Sequence, residues 1–442
     1  MPSTPLVYRV AARLGSALAP ALALLSLKLA AGHRGRRDAG GRLAEWAGRS
    51  RDRSRPLVWF HASSVGEGLQ AESVLLDLRR LHPEAQYVYT HYSPSAEALA
   101  RRLPVDAADY LPYDLPTAAE LLLGALAPSL VVFSKLDLWP ELATRAANRG
   151  AAVAMIAATV SPGSGRLRWP ARVLLREGYR AVRLAAAVSE ADAGRLARLG
   201  VGSDRIRVLG DPRFDSVLQR ISAIDRDERL LHLGRGAPTM VAGSTWPEDE
   251  AVLLDAFARL RAHRPEARLI LVPHEPTPRH LAAVEQAARG AGLPAPVRLS
   301  VATGPSPLIL VDRVGALAAL YGAGAMAYVG GGFGRAGLHS VLEPAAWSVP
   351  VAFGPRWRQS RDAALLLEAG AGQALTSRGS AGGEELYRAW RSWIEDDGRR
   401  TTQGERARSV VERGRGASRR SAEMLGEVIS SRPLRTLPIA GR

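Results

Sequence analysis

Short, continuously apolar runs recur along this chain, each followed by a helical pattern. That alternation constrains the fold more than any other feature. In the first half the runs are Leu57–Phe60, Tyr87–Thr90, Leu130–Phe133, Val153–Ala157 and Ala185–Val188, with helical spacing over Gly68–Leu81, from Ser95 onward, and over Glu190–Leu199. Runs of four or five residues without polar alternation are the signature of strands buried on both faces, as in a parallel sheet covered by helices. The rhythm pauses around Arg213–Gly236 and restarts with Met240–Gly243, Arg268–Val272, Leu308–Val311, Met326–Val329 and Val349–Phe353, with Glu248–His263 as a helix. The expected fold class is α/β, with two doubly wound Rossmann-like domains facing a cleft.

The expected boundaries follow from this pattern. A membrane-associated helix with a basic flank takes residues 1–35, and the first Rossmann-like domain takes 36–215. A hinge falls at 216–235, the second domain at 236–386, and C-terminal helices and a tail at 387–442. The last long helical stretch, about Tyr387–Ser430, is charged and amphipathic and is expected to cross back over the cleft.

With 442 residues, 47% hydrophobic and 23% charged, the chain has the mix of a protein with packed cores. The absence of cysteine excludes a disulfide scaffold, a thiolate zinc site and a cysteine nucleophile. The net charge of +16 predicts attraction to anionic partners such as phosphates, sugar nucleotides and acidic headgroups. Of 59 basic residues only Lys28 and Lys135 are lysine, a bias that reads first as genome base composition. No arginine-rich stretch is interleaved with stacking aromatics, so nucleic acid is not expected as a partner.

Residues Pro5–Ala31 form one hydrophobic segment, uncharged from Leu14 to Leu27. That uncharged core is short of the roughly 20 residues needed to span a bilayer. The basic run after it (Lys28, His33, Arg34, Arg36, Arg37) outweighs the cations before it, which puts the main body on the cytoplasmic side. The expectation is a membrane anchor or a monotopic helix, against the alternatives of a signal peptide or a helix of the folded body.

Three segments place Ser/Thr-x-x-Glu after a strand: Ser64–Glu67, Thr245–Glu248 and Ser340–Glu343. Each reads as a capping box, and each also brings a positive helix end to a strand's carboxyl edge, where an anion is favoured. Glu67 follows the small residues of His61-Ala-Ser-Ser-Val-Gly66 and suits a general base if its pKa is raised. The loop Gly330-Gly-Gly-Phe-Gly-Arg-Ala-Gly337 contains a literal G-x-G-x-x-G. A dinucleotide fold also wants an acidic residue about 20 positions on, ending the next strand. That strand ends at Phe353-Gly-Pro355 with none, which weighs against an oxidoreductase. The glycines are expected to admit a phosphate or nucleotide, with Glu343 placed to bond a ribose hydroxyl pair and His339 and His274 at the same edge. Lys135, Asp137 and Trp139 follow the Leu130–Phe133 strand. No metal-ligand spacing and no nucleophile elbow is present.

At these motifs the chain resembles the 3-deoxy-D-manno-octulosonic acid (Kdo) transferase family, lipopolysaccharide glycosyltransferases of the GT-B fold. The residues that carry the resemblance are His61-Ala-Ser-Ser-Val-Gly-Glu67, Trp139-Pro140, Ser189-Glu-Ala-Asp192, Gly210-Asp-Pro-Arg213-Phe-Asp215, Ala242-Gly-Ser-Thr245 and Leu271-Val-Pro273. The most specific stretches are Tyr328–Gly334, Gly337-Leu-His-Ser-Val-Leu-Glu343-Pro-Ala and Pro350–Pro355. The resemblance implies CMP-Kdo as donor and a lipid A precursor or related lipid as acceptor, at the cytoplasmic face of the inner membrane. It implies inversion at the anomeric carbon with no cofactor and no catalytic metal. Glu67 takes the general base. Arg213, Ser244, Thr245, His274, Gly331, Gly332, Gly334, His339, Ser340 and Glu343 take the donor, and Ser64, Gly66, Lys135, Asp137 and Trp139 the acceptor.

The chain departs from the family in three places. Lys135-Leu-Asp137 stands where the family has Glu-Thr-Glu, Ala157-Ala-Thr-Val-Ser161 where it has Asn-Ala-Arg-Leu-Ser, and Ser340 replaces Asn. The first two fall in the acceptor domain. They leave open a different acceptor, or a tethered nucleotide-sugar binding protein without transferase activity.

Overall fold

The computed structural model describes residues 3–225 and 228–430. It contains two compact units. The first comprises residues up to Ser216 together with the helix Ala417–Ser430, and the second runs Val217–Gly414.

The first unit carries strands β1 (Leu57–His61), β2 (Gln86–His91), β3 (Ala107–Tyr110), β4 (Leu130–Ser134), β5 (Ala152–Ala158), β6 (Leu184–Ala187) and β7 (Ile206–Val208). They form one parallel sheet in the order β3-β2-β1-β4-β5-β6-β7. Successive side chains of a strand point to opposite faces. Leu57 and Trp59 of β1 therefore join Val131, Phe133, Leu122 and Leu142 on one side. Val58 and Phe60 join Val74, Leu75 and Leu78 on the other. The helix Ala417–Ser430 completes that second face with Met424, Leu425 and Val428. It is pinned by Asp215, which accepts from Gly416 N (2.6 Å) and Ser418 N (2.8 Å), and by a Ser418–Ser73 hydroxyl pair at 2.8 Å.

The second unit carries β8 (Thr239–Thr245), β9 (Arg268–Pro273), β10 (Val297–Arg298), β11 (Leu308–Leu310), β12 (Met326–Val329), β13 (Val351–Phe353) and β14 (Gly372–Ala374). Its parallel order is β10-β11-β9-β8-β12-β13-β14. In each sheet the strand order switches direction near the middle, between β1 and β4 and between β8 and β12; in the second sheet β11 also returns to lie inside β10. The crevice beyond the carboxyl ends at such a switch is where open α/β sheets hold ligands.

The N-terminal expectation is corrected. The hydrophobic N-terminal segment is not one helix but two, α1 (Leu6–Ala23) and α2 (Leu27–Arg37), broken at Leu24–Leu25 and restarted by Ser26, whose hydroxyl accepts from Lys28 N. Among the described residues no helix is long and apolar enough to cross a membrane. Helix α1 is tied to the first unit by Tyr8 Oη donating to Asp114 (2.7 Å) and by Arg9 pairing with Glu141 (3.0 Å). Its leucines, among them Leu6, Leu14, Leu18 and Leu22, stay exposed.

The passage expected as a hinge over 216–235 includes the end of the helix Pro212–Ser222; residues 226–227 lie outside the described residues. The Tyr387–Ser430 stretch is three helices, Gly379–Glu395, Asp397–Arg413 and Ala417–Ser430, because Asp396 caps the second and the left-handed Gly416 precedes the third. Residues 431–442 of the expected tail lie outside the described residues.

Candidate active site

In the first unit the chain leaves β1 at His61, turns through three small residues and enters the helix Val65–Leu81. The capping box forms as expected. Ser64 Oγ accepts from Glu67 N, and Glu67 Oε2 accepts from Ser64 N (3.2 Å) and from the Ser64 hydroxyl (3.0 Å). Neighbouring β4 delivers Lys135, Asp137 and Trp139 to the same edge. Asp137 accepts from Ser63 N at 3.0 Å, and Ser134 Oγ donates to the Glu67 carbonyl at 3.1 Å. Burial pushes the Glu67 carboxyl above its ordinary range, Asp137 pushes the same way, and Lys135 opposes both. A raised pKa makes the ionised carboxylate a stronger proton acceptor. Lys135 is held in the left-handed region (φ 56°), its amide bonded to Ile156 O on β5 at 2.8 Å.

A wall of rings stands beside Glu67. Trp139 Nε1 donates to His61 Nε2 at 2.9 Å, so His61 is neutral there with its proton on Nδ1, facing Thr90 Oγ1 at 3.0 Å. Burial agrees, lowering the His61 pKa to about 4. Tyr92 packs on Trp139 with centroids 5.0 Å apart, and Arg36 of α2 lies 4.0 Å over the Tyr92 ring. Beyond its chain neighbours and its own helix backbone, no atom lies within 4 Å of where a Gly66 Cβ would stand, so packing against the rest of the unit does not demand glycine there.

Ser64, Gly66, Glu67, Lys135, Asp137 and Trp139 thus converge on the β1/β4 switch. Sequence reasoning passed over His61, Tyr92 and Arg36 as site residues. His61 was visible within the quoted motif. Arg36 was not, because it belongs to a segment read as the flank of an anchor.

In the second unit the residues assigned to the donor meet at the β8/β12 switch, with different local chemistry from that expected. Thr245 is fully buried and its hydroxyl donates to Glu250 at 2.9 Å; Glu250 also faces His280 Nε2 at 3.0 Å. The start of helix Pro247–His263 is closed not by Thr245 and Glu248 but by Asp249, one residue further on. Its carboxylate accepts from Trp246 N (3.0 Å), Gly331 N (2.8 Å) and Tyr328 Oη (2.8 Å). One buried side chain therefore ties the glycine loop to the helix start.

Trp246, overlooked in the sequence, donates through Nε1 to His339 Nε2 at 3.1 Å, and His274 stacks on both rings at 5.0 and 4.4 Å. Burial and the neighbouring His274 lower the His339 pKa to about 4. Ser244 is held at φ 54°, and a Cβ on Gly330 would stand 2.3 Å from its carbonyl oxygen, so only glycine lets β8 and the loop approach this closely. Gly332 has the same relation to Gly354, with a Cβ 2.6 Å from its amide nitrogen. Gly331 sits at φ 89°, and Gly334 stands open beside the Glu248 carboxylate.

Ser340 and Glu343 do not form a capping box. Their helix, Leu342–Ala346, is a single short turn; Ser340 Oγ accepts from Leu342 N, and Glu343 pairs with Arg220 instead of standing free for a ribose. Arg213 belongs to the first unit, where its guanidinium bonds Asp211 at 2.7 and 2.9 Å. Among the described residues no group of three or more His, Asp or Glu side chains is placed to hold a metal ion.

Comparison with solved structures finds likeness over most of the chain. UDP-GlcNAc 2-epimerase from Neisseria meningitidis aligns with a TM-score of 0.59 at 13% identity, covering 86% of this chain and all of that one. A glycosyltransferase from Rickettsia africae aligns with a TM-score of 0.57 at 11% identity, again over 86% and 100%. At such identities the likeness speaks to fold alone, and the fold is that of the GT-B glycosyltransferases.

Sequence comparison narrows this. Residues 39–216 match the model of the 3-deoxy-D-manno-octulosonic-acid transferase (kdotransferase) family. The Kdo transferase of Chlamydophila psittaci is 30% identical over 333 residues, 72% of this chain and 74% of the relative. That of Bordetella pertussis is 29% identical over 389 residues, 83% and 86% of the two chains. The chain belongs to the Kdo transferase family and is a glycosyltransferase. The reading as a binding protein without enzymatic activity falls with that membership.

Proposed function

We propose that this enzyme transfers Kdo from CMP-Kdo to a lipid acceptor of the lipid A precursor type, at the cytoplasmic face of the inner membrane, with inversion and without a catalytic metal. The observation that carries the reading is Glu67: a half-buried carboxyl with a raised pKa, at the carboxyl edge of β1, fixed by Ser64 beside an open glycine. Glu67 removes the proton of an acceptor hydroxyl. The oxygen attacks the anomeric carbon, the bond from that carbon to the phosphate oxygen breaks, and CMP departs. Ser64, Gly66, Lys135, Asp137 and Trp139 shape the acceptor side.

On the donor side, the glycine loop (Gly331, Gly332, Gly334), Ser244 and the Trp246–His274–His339 stack receive the nucleotide at the start of helix Pro247–His263, where the helix dipole favours the phosphate. Ser340 lies next to this group. Thr245 and Glu343 support it from behind through Glu250 and Arg220. Arg213, bonded to Asp211, is assigned to the leaving phosphate from the family motif. The exposed leucines of α1 and α2, with Arg13, Lys28, Arg34 and Arg37 among them, support a monotopic attachment in which the helices lie in the interface.

The test is transfer from CMP-Kdo generated in situ to a tetraacylated lipid A precursor, with the parent enzyme and Glu67→Gln side by side. Activity in the parent and a loss of at least a hundredfold in the variant, with CMP binding kept, is the expected result. Retained turnover in Glu67→Gln rejects this base.

A further inference from the structure

Apart from the site described above, the first unit has a cavity of about 580 Å³. It opens between α2, the helix Glu97–Arg102 and the ends of β2 and β3. Three arginines line it, Arg34, Arg42 and Arg101, against two carboxylates, Glu97 and Asp109, which leaves an excess of one positive charge (three minus two). Arg42 is committed to Asp109 through two bonds of 2.6 and 2.7 Å, and Arg101 pairs with Glu97. Arg34 has no ion-pair partner among the described residues and stands exposed at the mouth.

The cavity depends on a close approach. A Cβ on Gly35 would stand 2.4 Å from the Tyr110 ring, so α2 reaches β3 only because that residue is glycine. Arg42 Nη2 then bonds the Gly35 carbonyl at 2.8 Å and locks the helix in place.

The helix register gives the cavity a direction. Leu27, Ala31, Arg34 and Gly35 fall at i, i+4, i+7 and i+8 and share one face of α2. Ala31, Arg34 and Gly35 line the cavity, and Leu27 continues that face outward, 91% exposed, next to Leu24 (88%) and Leu25 (76%). A polar, cationic chamber is thus continuous with an uncovered apolar stripe. A bare phosphate ion would fill little of such a volume. A phosphate-bearing headgroup of glycerol or sugar size would fill it and lay its acyl chains along the leucines.

We propose that this cavity is a headgroup site for an acylated lipid carrying a phosphate, with Arg34 as its principal contact. The inference rests on the proposed function only in taking the leucines of α1 and α2 as the membrane side; binding at the cavity does not depend on Glu67 or on transfer.

The experiment is direct binding to the full chain of dihexanoyl phosphatidic acid, kept below its micelle concentration, with dihexanoyl phosphatidylcholine and inorganic phosphate as comparisons. Arg34→Ala is expected to weaken the phosphatidic acid about tenfold, as loss of a charge-assisted phosphate contact should. Arg37→Ala, on the same helix but off this face, should change it less than twofold. Ala108→Trp, which fills the chamber from β3, should abolish it with the melting temperature unchanged. Equal losses in the two arginine variants would mean diffuse surface charge and overturn the site, as would equal affinity for phosphatidylcholine. Competition between the probe and the acceptor in the transfer assay assigns the phosphate to the acceptor, and binding without competition assigns it to a bilayer lipid. If no acceptor is used at all, the binding arm still decides the cavity, so the two readings fail separately.

Discussion

The glycine loop of the second unit hangs on one carboxylate, and removing it should have a cost that the hydrogen bonds specify. Asp249 is fully buried and accepts from Gly331 N, Trp246 N and Tyr328 Oη. In Asp249→Ala, Tyr328 and Gly331 are left as buried donors without partners, at about 1–3 kcal/mol each, whereas the half-buried Trp246 amide can reach water. The burial cost of the carboxylate, visible in its raised pKa, disappears as well and offsets part of the loss. The net expectation is a destabilisation of about 3 kcal/mol. In Asp249→Asn the amide oxygen still serves both backbone donors and only the tyrosine must reorganise, so about 1 kcal/mol is expected. Equilibrium urea unfolding of the full chain, followed through the transition that carries the second unit, gives both values. Calorimetric titration with CMP should show weaker binding for the alanine variant than for asparagine. A loss below about 1 kcal/mol for Asp249→Ala would refute the reasoning, because it would mean that the loop keeps its shape without this anchor.

Other expectations follow from single features. Lys135 opposes the raised pKa of Glu67, so in Lys135→Met that pKa rises further; a base must be deprotonated, and the acid limb of the kcat/KM profile should move to higher pH. An unmoved limb separates Lys135 from the base. Asp114 is lifted by burial to about 6, above its ordinary 3.8, so its stabilisation is complete below pH 3.8 and is lost as the pH rises through 6. Between pH 5 and 7 the parent should lose about 1 kcal/mol that Asp114→Asn does not, measured by urea midpoints at both values. Ser244 holds a left-handed conformation that costs a side chain about 1–2 kcal/mol, part of which glycine returns as unfolded-state entropy. Ser244→Gly should therefore raise stability by about 0.5–1 kcal/mol, and a fall of more than 1 in thermal unfolding would contradict this.

What was legible in the sequence divides along burial. The central strands were found because both their faces are covered, which leaves unbroken apolar runs such as Leu130–Phe133 and Met326–Val329. The strands that escaped notice are β3, β7, β10 and β14, which are the four edges of the two sheets. An edge strand such as Ile206-Arg-Val208 is half in water and takes a mixed composition that no run of apolar residues announces. The Glu67 site was legible because its pieces follow two adjacent strands in plain motifs. The side chains of the second group stand at the expected sheet edge with other hydrogen-bond partners than the spacing suggested. Spacing could not say whether Glu248 or Asp249 turns inward, since either is compatible with a helix start, and the choice falls to Tyr328 and the loop waiting on the other side.

The helix Ala417–Ser430 also sets an order of events during synthesis. It supplies Met424, Leu425 and Val428 to a core whose other wall, Val74, Leu75 and Leu78, was translated long before. Between the two lies the whole of the second unit, which is continuous in sequence and can close while the first still waits. At typical rates of about 5–20 residues per second, that wait is on the order of 10–40 s. For that interval a growing chain carries a nearly finished sheet with one apolar flank bare. Helper proteins that shelter nascent chains have their natural target there, and a fragment ending at the family-matched segment would keep that flank uncovered for good.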